Sequence, residues 1–224
     1  MWDAALPLAV AGSGAVWATL AARRAGERTG GFASRALLGG AAAFGLALVA
    51  YEAATFAGVD VRWERLGRGD AGAFLLAAAI GFIEEGAKLV GILLVVERGV
   101  RTRTVLAVAA GVAAGFASLE TLTVLHGDQS GIAFARAALG PVAHALLAIP
   151  VALAVAPALR SRVPAAALAL PLLASAALHG AGDLSLALSR IGYAGYALAL
   201  ATPALMLFAR ARRRAAAAPL PTWK

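Results

Sequence analysis

Residues 71–96 read AGAFLLAAAIGFIEEGAKLVGILLVV, an apolar run long enough to cross a bilayer and interrupted only by Glu84, Glu85 and Lys88. A hydrocarbon core takes about 20 residues of helix. A carboxylate near its centre costs roughly 2.5–3.5 kcal/mol on insertion scales, so ionisable groups there mark a functional site by default. Glu84 precedes Lys88 by four positions and Glu85 precedes it by three, so Lys88 can pair with either acid on the helix surface. The two glutamates point about 100° apart, which lets one face a cavity while the other meets a neighbouring helix.

The surrounding chain has the same character. It has 224 residues, 61% hydrophobic and 14% charged, against about 25% charged in a soluble domain. The expected fold class is all-α: a polytopic transmembrane helical bundle of about seven spans, since unpaired backbone groups are not tolerated in lipid and no alternating short strands are visible. The spans are read as Ala4–Ala22, Ala36–Gly58, Ala71–Val96, Thr104–Leu125, Phe134–Ala158, Ala165–Leu188 and Gly192–Ala209. They form a single transmembrane domain over 1–209, followed by a basic cytoplasmic tail over 210–224. No basic segment precedes the first apolar run, so it is expected to be retained as a helix rather than removed.

Cysteine is absent, which excludes disulfides, thiolate metal sites and thiol nucleophiles. The net charge of +8 does not point to nucleic acid, because the arginines gather at helix ends as topology signals. With the N-terminus outside, Arg23, Arg24, Arg28, Arg35, Arg98, Arg101, Arg103, Arg160, Arg162, the four tail arginines and Lys224 fall inside. Only Arg62, Arg65, Arg68 and Arg190 fall outside. This asymmetry favours seven spans, N-terminus out and C-terminus in. The loop from Val59 to Asp70 holds three of the outside arginines and is expected to lie as a short interfacial segment.

A rise of about 1.5 Å per residue places Glu84 about 20 Å, Glu120 about 8 Å, His144 about 15 Å, His179 about 14 Å and Asp183 about 8 Å below the outer face. Four helices thus put their ionisable groups in one layer, as a polar cavity open to the outside would require. His179 and Asp183 are four apart on one helix face, where the carboxylate can fix the imidazole tautomer. Two histidines with carboxylates can hold a zinc ion with an open position for water, although the HExxH pattern is absent. A buried glutamate acting as general base without metal is the other option. Each residue alone also has a structural reading: Glu84, Glu85 and Lys88 as an ion-pair network, His144 as a helix–helix hydrogen bonder, and Arg136 as a snorkelling side chain. Glu52 is read as structural and His126 as an exposed loop residue. Pro141, Pro150, Pro157 and Pro171 are read as kinks.

Glu84-Glu85-Gly-Ala-Lys88 resembles the EExxK motif of the PrsW intramembrane proteases. Gly115-Phe116-Ala-Ser-Leu-Glu120 resembles that family's FxxxE motif. Arg136 followed by Pro141-Val-Ala-His144 is similar to its lone-histidine segment, and His179-Gly180-Ala-Gly-Asp183 resembles its HxxxD motif. The four motifs fall in order over about residues 70 to 190. Thr121 stands where an asparagine often follows the FxxxE glutamate, and Ala181 and Gly182 stand where bulkier residues are common. Both departures bear on substrate preference. The resemblance implies a protease of the bacterial plasma membrane, cutting membrane-anchored proteins such as an anti-sigma factor near the extracytoplasmic face. It also implies kinship with CAAX prenyl endopeptidases and with the gamma-secretase scaffold subunit. By this mapping Glu84 and Glu85 activate water. Glu120, His144 and His179 act as ligands or oxyanion donors, Asp183 orients His179, Lys88 tunes the acids, and Phe116 and Arg136 support the site. Zinc, if a metal is used, is assigned to His144, His179 and Glu120. Two rival classes stand beside this reading: a proton-coupled transporter, since buried acids and histidines also form proton relays, and a catalytically silent scaffold, since fold does not guarantee activity.

Overall fold

A computed structural model describes residues 5–124, 131–161, 164–188 and 192–216. Among these residues the chain is all-helical, with no strand. The elements are α1 (Ala5–Ala25), α2 (Thr29–Phe56), α3 (Ala71–Val95), α4 (Thr102–Val124), α5 (Gly131–Leu147), α6 (Ile149–Ser161), α7 (Ala169–Leu188) and α8 (Gly192–Ala216). Short 3-10 turns at Trp63–Arg68 and Ala165–Leu168 lead into α3 and α7. Four helices are long and apolar enough to cross a membrane, within 29–56, 102–123, 166–188 and 192–211. The bent pair α5 and α6 makes a fifth if taken as one span. Helix α3 is also long enough and apolar, but it carries three charged residues, Glu84, Glu85 and Lys88.

Helix α4 is the centre of the bundle and packs against α1, α2, α3, α5 and α6. Val105, Val108, Val112 and Phe116 recur at helical spacing, and all four are buried with Val151, Ala152 and Val155 of α6. Such a stripe faces the core of a helix bundle. Helix α3 starts where the Asp70 side chain accepts a hydrogen bond from the Ala73 amide at 2.8 Å, an N-cap that satisfies one of the orphan donors of the first turn. Small residues then let α3 and α7 touch backbone to backbone: a Cβ on Gly81 would meet the Ala176 carbonyl, and one on Gly180 the Ala77 carbonyl. The reciprocal pair brings Glu84, one turn beyond Gly81, beside His179.

Three features differ from the sequence expectation. The run expected as one span over Phe134–Ala158 is two helices bent by 48°, broken at Ala148. Pro150 has no N–H to continue the ladder there. Helix α2 begins at Thr29, so Gly30, Gly31 and Arg35 lie on it rather than in a loop. Helix α8 continues through the first tail arginines to Ala216. The segment expected at the interface is the 3-10 turn Trp63–Arg68, fixed by Leu66, which is buried against Leu76, Ile80 and Leu184. Just before it, Arg62 hydrogen-bonds Asp60 at 2.7 and 2.8 Å and holds that carboxyl well below the usual carboxylate range. His126 lies outside the described residues.

Candidate active site

Ionisable side chains from α3, α4, α5 and α7 meet in one buried cluster. Glu85 and Lys88 are 1% exposed, His179 3%, Glu84 6% and His144 8%, so water screens their interactions little. The Lys88 ammonium lies 2.8 Å from Glu85 Oε1 and 2.9 Å from His144 Nδ1. His179 Nδ1 is 2.7 Å from the same Glu85 oxygen, and its Nε2 faces Glu84 Oε2 at 3.4 Å and Asp183 Oδ2 at 3.5 Å. His144 Nε2 faces Glu120 Oε2 at 3.0 Å. On its other side Glu120 accepts a hydrogen bond from Arg136 at 2.6 Å. The two imidazole rings stand edge to face, with centroids 5.2 Å apart, and Phe116 lies 5.9 Å from the His144 ring.

Every residue singled out in the four motifs therefore has a place in or beside this cluster. Phe116 floors it from α4, with Lys88 4.5 Å from its ring centroid. Arg136 anchors Glu120 rather than reaching away from it. Glu52 is exposed and takes no part. Its neighbour Tyr51, which the sequence reading passed over, donates its hydroxyl to Glu84 Oε1 at 2.9 Å. The available signal was a phenol within a largely apolar span, which needs a hydrogen-bond partner when buried.

A cavity of about 560 Å³ opens onto one side of the cluster. His144, His179, Glu120 and Asp183 line its polar wall, while Trp63 and Tyr196 belong to its aromatic lining. Glu84 and Glu85 sit behind the histidines. The cavity side carries Glu120, Arg136, Asp183 and the two histidines, while Glu84, Glu85 and Lys88 lie on the closed side.

Glu84, His144 and His179 form a compact group whose potential ligand atoms all lie within 4.8 Å of one another. Glu84, rather than Glu120, thus joins the two histidines. Glu84 Oε2 is buried and has no hydrogen-bond partner among the described residues; its nearest polar neighbours are His179 Nε2 and Lys88 Nζ, at 3.4 and 3.6 Å. A buried carboxylate oxygen left open in this way is costly unless a cation or a proton reaches it. The surrounding charges are four carboxylates (Glu84, Glu85, Glu120 and Asp183) against Lys88 and Arg136, an excess of negative charge when the imidazoles are neutral. A divalent cation offsets that excess, and two histidines with one carboxylate match the donor set of catalytic zinc sites. On both counts the residues suit a metal.

Residues 30–210 match the family model described as PrsW family intramembrane metalloprotease. No curated protein and no solved structure matches the chain.

Proposed function

The chain belongs to the PrsW family of intramembrane metalloproteases, and from that premise we propose that it hydrolyses a peptide bond of membrane-anchored proteins at the Glu84–His144–His179 group. The observation that carries the reading is this group itself: three ligand-type side chains from three helices, buried together, with His144 and His179 on the wall of a cavity of about 560 Å³ and Glu84 directly behind them. The finer readings are that the bundle has seven spans with the N-terminus outside, that it lies in a bacterial plasma membrane as one domain with a basic cytoplasmic end, and that its substrates, an anti-sigma factor among them, are cut near the external face. The charge asymmetry and the motif order support these.

Zinc is the proposed metal; when bound, it polarises the scissile carbonyl and makes water nucleophilic at neutral pH. Glu84, His144 and His179 would hold it. Tyr51 fixes the Glu84 carboxylate through Oε1 and leaves Oε2 free. Glu85 orients His179 through Nδ1, as outer carboxylates do for ligating imidazoles. Glu120, itself fixed by Arg136, faces His144 Nε2 at 3.0 Å and is placed to do the same for that ring. Of the two carboxylates on the cavity wall, Glu120 is bound by Arg136, while Asp183 faces His179 Nε2 at 3.5 Å. Asp183 is placed to take the proton as the water oxygen bonds the carbonyl carbon, and to return that proton to the departing amine.

The test is cleavage of single-pass substrates by purified protein in lipid, with metal analysis of the same sample. Glu84→Gln and His179→Ala are expected to accumulate normally and cut nothing. Normal cleavage by both variants would sink the reading. A stable complex with a partner, whose function survives both substitutions, would favour the scaffold class instead.

A further inference from the structure

The Lys88 ammonium stands inside the donor group assigned to the metal. Its Nζ lies 2.9 Å from His144 Nδ1 and 3.6 Å from Glu84 Oε2, two members of that group, and 3.4 Å from the His179 nitrogen that is turned to Glu85. Lysine has three N–H donors and no acceptor, so His144 Nδ1 must accept the bond. With Nδ1 accepting, a neutral ring carries its N–H on the opposite nitrogen, Nε2, which lies 3.0 Å from Glu120 Oε2 without making a hydrogen bond of good geometry to it. The one lone pair of a neutral His144 ring is therefore aimed at Lys88. A metal needs that lone pair, and it needs the Glu84 oxygen beside the same ammonium.

Two cations do not share such a position. Like charges about 4 Å apart repel by about 1 kcal/mol in water and several-fold more where the effective dielectric is low. Lys88 does have somewhere to go. Glu85 Oε1 is its closest acceptor at 2.8 Å and lies outside the metal group. The Phe116 ring, 4.5 Å from Nζ, offers a second favourable contact. The four-carbon stem gives the ammonium freedom to shift between acceptors.

Building on the metal reading above, we propose that Lys88 is a tethered internal cation that competes with the metal for His144 and Glu84, and that it withdraws onto Glu85 when the metal enters. Lys88 then has two effects. It matches the buried acids so that the four helices can pack around them, and it weakens metal affinity by the cost of being displaced. A lysine that served only as a structural ion pair would do the first and not the second.

The experiment is zinc titration of the full chain in detergent against a chromophoric chelator, alongside thermal unfolding of chelator-treated protein with and without added zinc. Lys88→Met keeps most of the stem and removes the charge. It is expected to bind zinc roughly ten- to a hundredfold more tightly than the native chain, as the loss of one charge-assisted hydrogen-bond competitor allows. It is also expected to melt lower than the native chain before zinc is added, with the gap closing afterwards. Cobalt absorption spectra of the two proteins should coincide, because Lys88 is not a ligand. Lys88→Gln makes the same comparison if the methionine variant does not fold. Equal or weaker zinc binding by a folded Lys88 variant overturns the inference and leaves the metal reading standing. If Glu84→Gln binds zinc as the native chain does, or if neither protein binds it, the metal reading falls and takes the inference with it.

Discussion

Glu84 keeps its two oxygens in different company: Oε1 receives the Tyr51 hydroxyl, and Oε2 receives no hydrogen bond among the described residues. If the first contact positions the second oxygen, Tyr51→Phe should lower kcat about tenfold or more with KM near native, beyond the lower melting temperature expected from losing a hydrogen bond worth about 1.5–3 kcal/mol to a charged group. Steady-state kinetics would separate this from a purely structural role, which would lower stability and leave kcat of the folded protein unchanged. Asp183→Asn tests the proton-transfer role. It keeps the shape and should retain zinc within about tenfold, while kcat falls by about 10²–10⁴, the usual contribution of general acid–base catalysis. Were Asp183 only an orienter of His179, zinc affinity and kcat would fall together. Glu120→Gln is expected to weaken zinc by about 10–100-fold, as loss of an outer carboxylate does, where Glu84→Gln abolishes specific binding. The acids and histidines of this cluster stand out in the sequence because an apolar run makes each charge costly. Tyr51 does not, because its partner is 33 positions away and a phenol in a helix reads equally well as packing.

At the level of helices, the position of the site depends on the close crossing of α3 and α7. Gly180→Ala would push a methyl into the Ala77 carbonyl, and overpacking of this kind costs roughly 1–3 kcal/mol. The expected result is a lower melting temperature together with reduced zinc affinity, since Glu84 and His179 sit on the two elements forced apart. Gly86→Ala is the control on the same face of the argument. It has nothing within 4 Å of the added carbon, so it should be neutral or slightly stabilising through helix propensity. Loss of zinc affinity by the control and not by Gly180→Ala would contradict this account of the crossing. The helices themselves were legible from hydropathy and from the motif order, but their breaks were not. Pro141, Pro150, Pro157 and Pro171 look alike in the sequence. Pro141 and Pro157 are carried inside helices, Pro171 falls in the first turn of α7, where a missing N–H costs nothing, and only Pro150 adjoins the bend. Which proline breaks a helix depends on whether neighbouring helices hold the chain straight, and that information is tertiary.

For the whole molecule, the central question is whether α3 crosses the membrane, because its charges place the cluster either within the bilayer or at its edge. Length and composition assign four or five spans among the described residues. The charged helix α3 joins them only if its three ionisable side chains are sheltered by protein, and all three are buried against other helices. Burial inside the bundle is how membrane proteins tolerate such groups. The chain also provides its own means of testing this, since it contains no cysteine. Single cysteines at Arg68 and Arg98, both exposed and on opposite sides of α3, can be probed with a membrane-impermeant maleimide. With the N-terminus outside and seven spans, Arg68→Cys should react in intact cells and Arg98→Cys only after permeabilisation. Reaction of both from one side would mean that α3 returns without crossing and that the cluster is not intramembrane. The reverse pattern would keep the crossing but invert the bundle, placing the cavity mouth beside Trp63 on the cytoplasmic side, where membrane-anchored substrates would be met from within the cell.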